Sequence, residues 1–156
     1  MRKLYATLVA MSFVAAASAP AGAANLLNTT FPGLQTFTAA GPVRLFPSGS
    51  FFQAFTTTQA ETVMVSFSAG CSVTGTGVQQ LRLAIFIDSK AIYPTNRSNF
   101  VFCSAIGTPN GQDARASFSL VTGVEVGSGN HNVTVNATPT TGSKAILTNL
   151  TMQVWD

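Results

Sequence analysis

The 156-residue chain carries eight basic and five acidic residues, a net charge of +3; 46% of its residues are hydrophobic and only 8% are charged. Such a composition excludes a disordered, self-repelling chain. Two of the eight cations are Arg2 and Lys3, at the extreme N-terminus, so no basic cluster is left to follow a phosphate backbone and a nucleic-acid partner is not expected.

Residues 1–23 (MRKLYATLVAMSFVAAASAPAGA) have the form of a secretory signal peptide. Arg2 and Lys3 begin it, residues 4–17 are apolar but too short for a lasting membrane span, and Ala21-Gly22-Ala23 offers small residues at the cleavage positions. The cut is expected after Ala23. No cysteine stands there, so the cue for a bacterial lipid anchor is missing. The expected location is secreted, periplasmic or cell-surface in a bacterium, with no membrane span once the leader is gone. Residues 24–156 then form a single domain of ordinary size.

Residues 24–42 are expected to be an N-terminal arm or edge strand, broken at Pro32-Gly33 and turning at Gly41-Pro42. Residues 43–156 are expected to be the folded domain. Residues 43–46 suit a short strand, and Pro47-Ser48-Gly49-Ser50 a turn. Residues 51–58 (FFQAFTTT) are aromatic and Thr-rich, as strands are. Adjacent Phe51 and Phe52 cannot both point to one side of a strand. One of them must cover a second apolar surface, which marks the pair as a candidate subunit contact.

The clearest alternation follows. Val63, Val65, Phe67, Ala69 and Cys71 share one strand face, with Gly70 leaving room for a bulge or a close approach. Thr74–Gly77 reads as a loop. Leu81, Leu83, Ile85 and Ile87 form a second inward face, and Asp88-Ser89 sits where a two-residue hairpin turn belongs. Pro94-Thr95-Asn96 ends the returning strand. NFVFCSA, residues 99–105, is the next, and residues 107–111 are a loop. Ala116, Phe118 and Leu120 alternate over residues 114–122; a Gly-rich link, residues 123–129, follows. Val133, Val135 and Ala137 share a face. After a turn at residues 139–142, Ile146, Thr148, Leu150, Met152 and Val154 are expected to share the last. Short strands with turn signals at this spacing predict an all-β fold: an antiparallel β-sandwich of jelly-roll type with about eight to ten strands. A closed up-and-down barrel is the alternative.

Cys71 and Cys103 are the only cysteines. In an oxidising compartment such a pair forms a disulfide. They lack the C-x-x-C spacing of a redox pair, and with one histidine they cannot complete a zinc site. No cofactor is expected. His131, the only histidine, is in phase with Val133 and Val135, which suits a half-buried ring bonded to a loop carbonyl. A Ser-His-Asp hydrolase would need a serine on a sharp turn, and G-x-S-x-G does not occur. Asp88 is assigned to the hairpin and Asp113 to a loop, with Asn110 beside it suiting an Asx turn better than a calcium site. Nothing pairs the carboxylates for glycoside hydrolysis, so an enzyme is not expected. Tyr93 and Trp155 are the only aromatics suited to a sugar platform.

The run V-x-V-x-F-x-A-G-C, the hairpin I-F-I-D-S-K-A-I-Y-P-T, Phe102-Cys103 and G-x-H-x-V-x-V at residues 129–135 together resemble bacterial secreted jelly-roll domains, similar in pattern to C1q/TNF-like and carbohydrate-module sandwiches. The likeness covers residues 50–156. It implies binding, adhesion or assembly and carries over no site residue. A second likeness, to chaperone–usher pilins, rests on the signal, one disulfide, Gly142 and Trp155, and departs from them in the late position of Cys71. The sequence therefore points to an exported, non-enzymatic interaction, adhesion or surface-assembly module, partnered by another protein or by copies of itself. A carbohydrate-binding module and a pilin-like fibre subunit are the alternatives.

Overall fold

A computed structural model describes residues 24–46, 49–93, 100–107 and 114–156. The leader with Ala23, the Pro47-Ser48 turn residues, Pro94-Thr95-Asn96 and the Asn110/Asp113 pair lie outside the described residues.

The chain forms β1 (Asn25–Phe37), β2 (Gly41–Pro42), β3 (Phe52–Thr57), β4 (Glu61–Thr74), β5 (Gly77–Ile87), β6 (Lys90–Tyr93), β7 (Phe100–Gly107), β8 (Ala114–Val126), β9 (Gly129–Pro139) and β10 (Lys144–Trp155). One sheet has the order β1-β10-β4-β8. In the other, β9 and β5 are central; β2 and β3 pair with β9, while β6 and β7 pair with β5. Setting aside the short β2 and β6 and counting the eight long strands in chain order, the sheets run 1-8-3-6 and 2-7-4-5. That is jelly-roll connectivity, and every pairing is antiparallel.

Alternation builds the core. Val63, Val65, Phe67, Ala69 and Cys71 on β4 face Leu81, Leu83, Ile85 and Ile87 on β5 and Val133, Val135 and Ala137 on β9, all buried. The Cys71–Cys103 disulfide crosses from β4 to β7 and so joins the two sheets, with the Cα atoms 6.3 Å apart. It closes a span of 32 residues, worth roughly 3–4 kcal/mol in the chain-entropy account. Both Phe102 and Cys103 point inward because a register shift separates the Leu81–Cys103 and Arg82–Val101 pairs. Phe102 then meets Phe67 edge-on at 5.6 Å.

Several local expectations are corrected. Ile146 and Thr148 are not in phase with Leu150, Met152 and Val154; Ala145 and Leu147 take the inward positions instead. Asn149 has φ 50° and lies in a bulge between the Thr148–Gly70 and Thr151–Ser68 pairs. One extra residue reverses the faces on either side of it. Gly70 permits this, since a Cβ there would stand 2.6 Å from Thr148 Oγ1. Pro32-Gly33 does not break the first segment. It forms a second register shift, and β1 continues as an edge strand along β10. Gly41-Pro42 is no turn but pairs with Asn136 and Ala137, whereas residues 43–46 form no strand, although Val43 and Leu45 are buried. β8 runs through Gly123 to Val126, with Gly123 opposite Met64. The link expected over residues 123–129 therefore shrinks to Gly127-Ser128.

Candidate functional site

Two polar clusters hold the sandwich where its sheets meet, and each adjoins a residue singled out from the sequence. The first lies where β1 approaches the connection between β2 and β3. Gln35, buried on β1, donates from Nε2 to the Arg44 carbonyl and accepts from the Arg44 N–H, both at 2.7 Å. A side-chain amide thus completes the two backbone bonds that a neighbouring strand would have made. Thr29 Oγ1 donates to the Leu45 carbonyl at 3.2 Å. With its backbone fixed, Arg44 holds its guanidinium 5.7 Å from the centroid of the Phe51 ring, a cation–π contact.

Around this frame lie exposed apolar side chains. Phe46 is 40% exposed, Phe51 42%, Phe52 54% and Leu34 62%. In β3 the inward positions go to Gln53, Phe55 and Thr57, so Phe52 points outward. Leu34 and Phe51 line one shallow groove of about 310 Å³ together with Gln35, Phe37, Pro42 and Arg44. Neither Phe51 nor Phe52 is taken up by the core: both are exposed, where the sequence led one of the two to be expected inward.

The second cluster centres on His131, at the other end of the β3–β9 pairing. Asp88 and Ser89 have φ 49° and 68°, as a type I′ turn requires. The turn is held to β9: Asp88 N–H donates to the Asn132 carbonyl at 2.9 Å, and Asp88 Oδ1 accepts from Asn132 N–H at 2.8 Å. The remaining oxygen, Oδ2, is 2.6 Å from His131 Nδ1. His131 Nε2 lies 3.0 Å from the Gly127 carbonyl and 3.2 Å from Thr57 Oγ1, and that hydroxyl donates to the same carbonyl at 2.6 Å. The Phe55 ring packs 5.3 Å from the imidazole. The hydrogen bond that His131 donates to Asp88 raises the His131 pKa above its ordinary value, against the lowering effect of burial, and the Gly127 carbonyl adds to the rise. The same bond lowers the Asp88 pKa.

The ring does bond a loop carbonyl, that of Gly127. The Asp88 partnership is what sequence reasoning missed, having assigned this aspartate to its turn alone. The sequence signalled only that His131 is in phase with Val133 and Val135, not which turn lies beside it. Chemically the cluster resembles an acid–histidine–hydroxyl relay, but its hydroxyl is buried and already donates to Gly127. Among the described residues no group of three or more His, Cys, Asp and Glu could hold a metal ion, and no helix is long and apolar enough to cross a membrane.

Tyr93 and Trp155 are not brought together. Tyr93 is half-buried on β6, with its ring against Phe100 at 5.2 Å, edge to face. Trp155 is half-buried at the end of β10, paired in register with Asn25 of β1 and Met64 of β4.

No protein-family model matches the chain, and no curated protein matches it. Solved structures do. A structure of Eiger TNF from S. frugiperda is similar at 9% identity and a TM-score of 0.45, over 84% of this chain and 92% of that one. A structure of the infectious bursal disease virus Gx strain is similar at 9% identity and a TM-score of 0.38, over 86% of this chain and 31% of the other. Dimeric latent PorU from Porphyromonas gingivalis is similar at 14% identity and a TM-score of 0.40, over 87% of this chain and 14% of the other. The likeness, to TNF-like sandwiches among others, is one of fold alone.

Proposed function

We propose that the chain is an exported, non-enzymatic jelly-roll module that works by protein–protein contact, with a second copy of itself or another protein, through the surface around the groove that Leu34 and Phe51 line, with exposed Phe46 and Phe52 on the same stretch of chain as Phe51. The observation that carries this reading is the exposure of these four large apolar side chains, from 40% for Phe46 to 62% for Leu34. Single exposed apolar residues are ordinary; an exposed aromatic and an exposed leucine lining one groove, as Phe51 and Leu34 do, are of the kind that interfaces use as anchors. The frame beneath them is fixed by the Gln35 bonds to Arg44, so little ordering is left for binding to impose. The non-enzymatic part is supported by His131, whose two ring nitrogens are both engaged within the fold.

Light scattering on the exported protein and on a Phe51→Ser/Phe52→Ser variant tests the proposal. Both side chains stand outside the core, so the variant should keep the wild-type melting temperature to within a few degrees. The wild type should associate with itself or retain a co-exported protein, and the variant should do neither. A wild type that stays monomeric and unaccompanied at every concentration, or a variant that associates equally well, overturns the reading.

A further inference from the structure

We infer that His131 is held as an imidazolium in the folded protein and serves as an acid-side latch, bridging the β5–β6 turn and the β8–β9 connection through its two ring N–H groups while protonated and weakening that bridge when a proton is lost. The argument starts from what each ring nitrogen faces. Nδ1 faces a carboxylate oxygen of Asp88 at 2.6 Å, and an ionised carboxylate only accepts, so Nδ1 carries a hydrogen. Nε2 faces the Gly127 carbonyl at 3.0 Å, which also only accepts, so Nε2 carries one as well. A ring with hydrogens on both nitrogens is the cation. The neutral ring with its hydrogen on Nδ1 would set its Nε2 lone pair against the Gly127 carbonyl 3.0 Å away, and the Thr57 hydroxyl that could donate to Nε2 instead donates to that carbonyl at 2.6 Å.

Burial gives the latch its force. His131 is 8% exposed, and its three partners come from three separate segments: Asp88 from the β5–β6 turn, Gly127 from the β8–β9 connection and Thr57 from β3. The charged groups around it are few. Asp88 is in direct contact; Lys90 on β6 and Glu125 on β8 line the same small cleft with apolar Ile87, Ile92, Val124 and Val126. Glu61 at the start of β4 lines a cleft that shares Glu125. β3 offers the ring only Thr57 and Phe55. Of these groups only the Asp88 carboxylate touches the ring, and its charge favours the cation.

The sign follows by linkage. A histidine whose folded pKa is raised stabilises the fold fully below its unfolded pKa of about 6.5, and the contribution is lost as pH rises through the folded value. Asp88, whose pKa is lowered, contributes above about 3.8 and loses that contribution as pH falls through its folded value. The latch is therefore fully closed between about pH 4 and pH 6.5.

His131 is the only histidine, so an untagged chain gives a single imidazole signal in NMR. Titrating it in the wild type and in Asp88→Asn is the test. Asparagine tolerates the left-handed turn position and can still accept from Asn132 N–H, so the variant should fold. The expected results are a wild-type pKa above the ordinary value and a lower one in Asp88→Asn. The wild-type unfolding constant should also rise between pH 6 and pH 9, tenfold for each unit separating folded from unfolded pKa, with a much smaller rise in the variant. Amide exchange at Asp88, Asn132 and Thr57 should quicken relative to β4 across the same range. A wild-type pKa at or below the ordinary value overturns the proposal even if the variant fails to fold. So do equal values in the two proteins, or exchange that quickens uniformly. Each of these readouts is independent of whether the Phe51 face associates.

Discussion

The clusters around Gln35 and His131 do the same mechanical work by different chemistry. Each lets one buried polar side chain fasten a turn or connection to a strand beside it. Gln35 does so with a neutral amide that matches a backbone N–H and a backbone carbonyl of Arg44. His131 does so with an ionisable ring that needs a carboxylate at one nitrogen and a carbonyl at the other. The neutral fastening holds at any pH and underlies the apolar face of Phe51. The charged one depends on a proton and sits at the far end of β3. A buried polar group stabilises only while its partners match its hydrogens, and only one of these two can lose its match without a mutation.

The sharpest way to break the comparison is Gln35→Leu. It leaves the N–H and the carbonyl of Arg44 without their partner in a partly buried place, each worth about 1–3 kcal/mol. Chemical denaturation should show a loss of about 2–4 kcal/mol, equal at pH 5 and pH 9, because nothing in the cluster titrates. A loss that changes with pH would mean that the two clusters are coupled through β3. Thr57→Val should do less. Valine fills the same space but cannot donate to Gly127, a loss of about 1 kcal/mol. The imidazolium keeps both of its acceptors, so the decline of stability above pH 6.5 should persist in this variant with its slope unchanged. A slope that vanishes with the hydroxyl would place the titration on Thr57's hydrogen bond rather than on Asp88.

How far all this was readable in the chain depends on distance along it. The faces of β4, β5 and β9 were legible because alternation is local: Val63 to Cys71, Leu81 to Ile87 and Val133 to Ala137 are buried as spaced. The disulfide expected of Cys71 and Cys103 is formed, but it is the register shift in β7, not alternation, that turns Cys103 inward beside Phe102. The face of β10 was misread because one residue with φ 50°, Asn149, inverts it, and asparagine in a Thr-rich strand does not announce a bulge. The partnerships of Asp88 with His131 and of Gln35 with Arg44 join residues 43 and 9 apart. They depend on how strands are laid side by side, which no window of sequence contains. Phe51 and Phe52 were legible as a problem, two large side chains that one face cannot hold, while the solution needed the position of Arg44.

The smallest expected effect separates the two roles of that arginine. Its backbone completes the Gln35 fastening, and its exposed side chain lies over Phe51. Arg44→Ala removes the second and leaves the first, since alanine presents the same N–H and carbonyl to Gln35. An exposed cation–π contact contributes about 0.5–1 kcal/mol, so thermal unfolding should change little and equally at pH 5 and pH 9. The change should appear instead in association, because Phe51 loses the group that holds its ring and must be ordered at the moment of contact. If Arg44→Ala costs as much stability as Gln35→Leu, the guanidinium rather than the backbone is what the cluster secures, and the apolar face rests on a charge after all.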